Sequence, residues 1–136
     1  MRCNRGSAAI EFALILPVFV ILLMTILEYG WLFYHRAALD SAANTGCRAG
    51  SLVDPGMGEA NMTAVVTRVE DSTDTALTGL GIECGGRCRT SVVAFGTGPA
   101  RSIRCSLDFQ FDPLVGAFLN PRTLESLQVS RLEYQR

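Results

Sequence analysis

Residues 7–34 read SAAIEFALILPVFVILLMTILEYGWLFY, and how this run is interpreted decides the fold. Wound as a helix at 1.5 Å per residue, about 28 residues reach roughly 42 Å. The hydrocarbon core of a bilayer is about 30 Å thick, so the far end of the helix is predicted to emerge into the interface. Tyr29, Trp31 and Tyr34 then form an aromatic belt, and Glu28 marks where water begins. A secretory signal would have a shorter apolar core and a small-residue cleavage site after it, so the helix is expected to be retained. Two residues interrupt the run. Glu11 costs about 2.5–3.5 kcal/mol on insertion scales, and an acid held in oil at that cost points to function. Pro17 removes one backbone donor and crowds the carbonyl of Ala13, which predicts a kink or an opened turn best satisfied by packing among other helices.

Working outward, Leu27, Trp31, Tyr34, Ala38, Ala42, Thr45 and Ala49 recur at three- and four-residue steps and trace one helical stripe. Its outer half is made of small residues, from Ala37-Ala38 through Ser41-Ala42-Ala43 to Gly46, a face that lets another element approach the backbone closely. The helix is predicted to end near Gly50, with Asp54-Pro55-Gly56 as the stop. Arg2 and Arg5 lie on one side of the run and no acid precedes Glu11, so the positive-inside rule places the N-terminus in the cytoplasm and the rest outside. His35 and Arg36 oppose this weakly. The cysteines agree with it: Cys3 precedes the run, while Cys47, Cys84, Cys88 and Cys105 follow it, an even set suited to two disulfides in an oxidising compartment. Four cysteines allow three connectivities. The preferred pairing is Cys84 with Cys88, closing a local Gly-Gly-Arg loop, and Cys47 with Cys105, stapling a strand to the helix.

The chain has 136 residues, with 12 basic side chains, all arginine, against 13 acidic ones. This balance makes no electrostatic case for nucleic acid. No second cysteine or histidine pair completes a zinc site with Cys84 and Cys88. His35, the one histidine, reads as a structural residue at the membrane boundary, and the serines have no placed base to form a triad. Gly96-Thr-Gly-Pro99 lacks the strand–helix context and the lysine of a phosphate loop. The residues therefore argue for no enzyme activity and imply no cofactor.

Beyond the long helix, Met62, Val65, Val66, Val69, Ala76, Leu77 and Leu80 predict a second helix over about 59–79, with Arg68, Asp71 and Asp74 on a solvated face. Strands are predicted at about 89–95, 101–111 and 123–130, the first two joined by Gly96–Ala100. Ile103, Cys105, Leu107, Phe109 and Phe111 alternate with polar residues and so line one buried face; in the third strand Leu127 and Val129 are expected to face inward. The fold class is α+β: a small antiparallel sheet packed on the outer half of the long helix, burying Ala38 and Ala42. So thin a core needs its disulfides.

Several of these residues together resemble a known family. Arg5-Gly6 before the apolar run looks like a type IV prepilin leader, and Glu11 stands fifth after that glycine, the spacing of the acidic residue in mature type IV pilins. The string from Gly6 to Pro17, and Glu28-Tyr-Gly-Trp-Leu-Phe-Tyr34, are similar to TadE-like minor pilins, or pseudopilins, of the tight-adherence (Tad/Flp) pilus system. Phe109–Leu114 and the segment running to about Tyr134 are a looser echo. The resemblance implies a pilin-like fold, a leader 1–6 cleaved between Gly6 and Ser7 by a prepilin peptidase, a membrane helix 7–34, and a periplasmic head 35–136. It further implies a place in pilus assembly and surface adherence at the bacterial inner membrane or in the extracellular pilus. The implied partners, besides membrane lipid, are other pilin and minor pilin subunits and the inner-membrane assembly platform. Ser7 departs from the N-methylated phenylalanine of better-known pilins, so no methylation is carried over. Cleavage would create an ammonium at Ser7 about 6 Å of helix from Glu11, and a displaced neighbour's ammonium could pair with this carboxylate to set register. Two alternatives remain: an uncleaved single-pass protein with a disulfide-bonded binding or scaffolding domain, in which Gly6 and Glu11 are incidental, and a tethered thiol–disulfide enzyme. The second would use Cys84 and Cys88, but such enzymes usually have two intervening residues at a helix start.

Overall fold

The computed structural model describes residues 5–53, 59–96 and 101–132. Residues 1–4 with Cys3, the Asp54-Pro55-Gly56 stop, residues 97–100 of the first hairpin connection, and Tyr134 lie outside the described residues. The elements follow in the order α1 (Arg5–Ser51), α2 (Glu59–Gly79), β1 (Cys88–Phe95), β2 (Ser102–Phe111) and β3 (Arg122–Arg131). The strands form one antiparallel sheet in the order β1-β2-β3. A long apolar helix, a second helix and this sheet make an α+β fold.

Helix α1 divides into two halves by what covers it. From Ala9 to Leu27 every side chain is exposed except Thr25, which is half-buried. From Glu28 onward a stripe sinks into the head: Glu28, Leu32, His35, Leu39, Ala42, Ala43 and Cys47 are all buried. This stripe is rotated from the expected one, since Leu27, Trp31 and Tyr34 lie exposed beside it. His35 is likewise a core residue of the head. It stacks on Phe109 at 5.6 Å, meets Trp31 and Phe111 edge-on, and has Nδ1 3.0 Å from the Trp31 carbonyl oxygen.

Helix α2 packs through Val65, Val69, Thr73 and Leu77, while Arg68, Asp71 and Asp74 face out. Close approach to α1 depends on glycine. A Cβ at Gly46 would overlap Thr73 Oγ1 and stand 3.0 Å from the Val69 carbonyl, and one at Gly50 would overlap Val69 Cγ2. The Gly46→Val variant is therefore expected to lose about 1–3 kcal/mol by overpacking. Gly30, where a Cβ meets nothing within 4 Å, is the control: Gly30→Ala is expected to gain up to about 1 kcal/mol of helix propensity. Denaturant unfolding of the full chain in detergent compares the two; equal effects would contradict the packing.

Ile103, Cys105, Leu107, Phe109 and Phe111 of β2 are all buried, as period-2 alternation requires when one face is covered. Strand β3 reverses the expected orientation. Leu127 and Val129 point outward, and Leu124 and Ser126 point in. Register is the cause. Phe109 pairs with Leu124, Leu107 with Ser126 and Cys105 with Gln128, and directly opposed residues share a face. The Ser126 hydroxyl, donating to Asp40 Oδ1 at 2.7 Å, gives this small polar side chain a partner on α1.

Candidate functional site: the two carboxylates of the long helix

Glu11 and Glu28 sit on one helix in opposite surroundings. Glu11 lies on the half of α1 that no head element covers, among exposed Ile10, Phe12, Leu14 and Ile15. The helix continues unbroken through Pro17, although Pro17 has no N–H to offer the carbonyl of Ala13. Gly6 and Ser7 fall within the first turns of α1.

Glu28, at the end of the apolar run, is folded into the head rather than solvated. It is 1% exposed. Its carboxylate accepts three consecutive backbone N–H groups from the loop between β2 and β3: Gly116 at 2.7 Å and Ala117 at 3.1 Å on Oε1, and Phe118 at 2.8 Å on Oε2. Successive amides converging on one anion form a nest, which needs a left-handed residue in the turn. Gly116, at φ 71°, supplies it. An acid in this place is thus balanced by charge-assisted hydrogen bonds rather than by water. The signal was faint in sequence, because the donors are backbone amides 88–90 residues away. Gly116 in an otherwise apolar loop was the one clue.

Two further ties fix the head to α1. Tyr34 donates its hydroxyl to the Leu80 carbonyl just past the end of α2, which fastens α1 to the head. Cys47 and Cys105 are disulfide-bonded with Cα atoms 5.8 Å apart, and Cys84 and Cys88 with Cα atoms 5.1 Å apart. The first joins α1 to β2; the second closes the loop before β1. No group of three or more His, Cys, Asp or Glu side chains that could hold a metal occurs among the described residues.

Among the described helices one, α1, is long and apolar enough to cross a membrane. Comparison with curated proteins and with solved structures finds no match to this chain. Residues 6–48 match the family model for TadE-like protein, a stretch that holds Glu11, Pro17, Glu28 and most of the buried stripe. Over that stretch, about a third of the chain, helix α1 is similar to TadE-like protein.

Proposed function

We propose that this protein is a membrane-anchored minor pilin or pseudopilin that serves assembly of a Tad-type pilus, with α1 as its membrane and packing element. The TadE-like match over residues 6–48 carries this reading. Support comes from the division of α1, whose covered half holds the head and whose bare half is exposed apolar surface. In this reading residues 7–27, about 31 Å of helix, span the inner membrane with the N-terminus cytoplasmic and the head periplasmic. A prepilin peptidase removes residues 1–6. The ammonium so created at Ser7 of one subunit meets Glu11 of a neighbouring pilin or minor pilin. Removing one member of such a buried pair costs about 3–5 kcal/mol, which makes the pair a register device during assembly.

The test is two measurements on protein from native membranes. Intact mass is expected to begin at Ser7, and a Gly6 substitution to leave the chain unprocessed. Glu11→Ala is expected to insert normally yet fail to co-purify with pilin subunits or support piliation. A native chain that retains residues 1–6, with normal piliation in Glu11→Ala, favours the uncleaved single-pass scaffold instead.

A further inference from the structure

The loop clamped by Glu28 has a composition that a water-exposed loop does not need. Residues 113–121 read PLVGAFLNP and carry no charge. Charge stops at Asp112, 3.9 Å from Arg87, and resumes at Arg122. Leu114, Val115 and Phe118 stand 58%, 56% and 46% exposed, with Leu119 turned into the core.

Position gives these side chains a partner. Helical side chains tilt toward the N-terminus, so the Glu28 carboxylate lies over the turn before its own Cα, beside Met24–Leu27. The three amides it holds bring Gly116–Phe118 to that same level. Met24, Ile26 and Leu27 are exposed there, and half-buried Thr25 is the first residue to lose exposure on the way into the head. The loop's apolar side chains therefore continue the exposed apolar surface of the span at the edge where the head begins. Backbone near hydrocarbon must have its polar groups satisfied within the protein. Glu28 satisfies three in succession, leaving the loop's side chains free to meet lipid.

We propose that the β2–β3 loop is a second membrane contact, with Leu114, Val115 and Phe118 seated in the acyl–headgroup boundary of the outer leaflet around α1. This rests on α1 spanning the bilayer. Two contacts, one a helix and one a loop beside it, would fix the tilt and rotation of the head over the membrane, which a single helix leaves free.

The experiment uses the full chain in lipid nanodiscs and tryptophan quenching. Trp31, the one native tryptophan, is replaced by phenylalanine, and a single probe is introduced as Phe118→Trp, Ile21→Trp or Val93→Trp. Quenchers are lipids brominated near the top of the acyl chain and aqueous iodide. Phe118→Trp is expected to lose fluorescence to brominated lipid to an extent comparable with Ile21→Trp and to resist iodide. Val93→Trp, on the outer sheet face, is expected to show the reverse. Iodide quenching of Phe118→Trp matching Val93→Trp, with Ile21→Trp still quenched by lipid, overturns the loop contact and leaves the span intact. That would be the result if the loop instead awaits a protein neighbour. Loss of lipid quenching at Ile21→Trp overturns the membrane reading itself, and the loop contact with it.

Discussion

Removing the disulfide between Cys47 and Cys105, as Cys47→Ala/Cys105→Ala, is expected to destabilise the head by about 4 kcal/mol. The bond closes a sequence separation of 58 residues, and the loop-entropy relation gives about 4 kcal/mol for a loop of that length. The whole stability of a domain is about 5–15 kcal/mol, so this one bond is worth a large share. Both cysteines are buried with Val65, Val69, Ile103 and Leu132, and losing the staple also loosens the packing of α1 and α2 on β2. The matching Cys84→Ala/Cys88→Ala variant spans a separation of 4, for which the same relation gives about 2 kcal/mol. Denaturant unfolding of the full chain in detergent compares the two. The long staple is expected to have the larger effect; the reverse order, or alkylatable thiols at Cys47 and Cys105 in unreduced protein, would contradict it.

Glu28→Ala is expected to cost about 3 kcal/mol. Hydrogen bonds to a charged group are worth about 1.5–3 kcal/mol each, and part of the loss is regained as the freed amides of Gly116, Ala117 and Phe118 reach water. The readout that isolates the clamp is hydrogen exchange at those three amides. A 3 kcal/mol loss corresponds to exchange faster by about two orders of magnitude. Glu28→Gln keeps the volume and one carbonyl acceptor but turns an NH2 toward the amides, so it is expected to fall between wild type and Glu28→Ala. Unchanged protection at residues 116–118 in both variants would show that the nest does not hold the loop. Because Tyr34, His35 and the disulfides are distant from those amides in the chain, the head core is expected to keep its own protection while the loop opens.

The clamp also changes how the N-terminal third is understood. An acid after a greasy run ordinarily marks the edge of the membrane. Here Glu28 is an internal ligand of the head's own loop, so the head begins about two turns earlier than a boundary after Tyr34 suggested. The covered stripe starts at Glu28 and Leu32, and the bare helix before it matches the thickness of a hydrocarbon core without surplus. Tyr34, whose hydroxyl donates to the Leu80 carbonyl just past α2, ties α1 to the end of α2.

What the amino acids determined by themselves was whatever rests on local periodicity. A run from Phe12 to Met24 without a polar side chain dictates an apolar helix, and small residues between Ala37 and Gly46 dictate that something packs closely on its continuation. Strict alternation from Ile103 to Phe111 dictates a strand with one dry face. These follow from the 3.6- and 2-residue repeats of helix and strand, which neighbours in the chain suffice to express. What the tertiary structure alone decided was which face and which partner. In β3, apolar residues occur at both parities, Leu124 on one and Leu127 and Val129 on the other, so alternation cannot choose; pairing with Leu107 and Phe109 does. Glu28 could not be assigned from its neighbours because its three donors are main-chain amides, which every residue but proline has. Only a glycine-built turn arriving from 88 residues away gives that carboxylate its meaning.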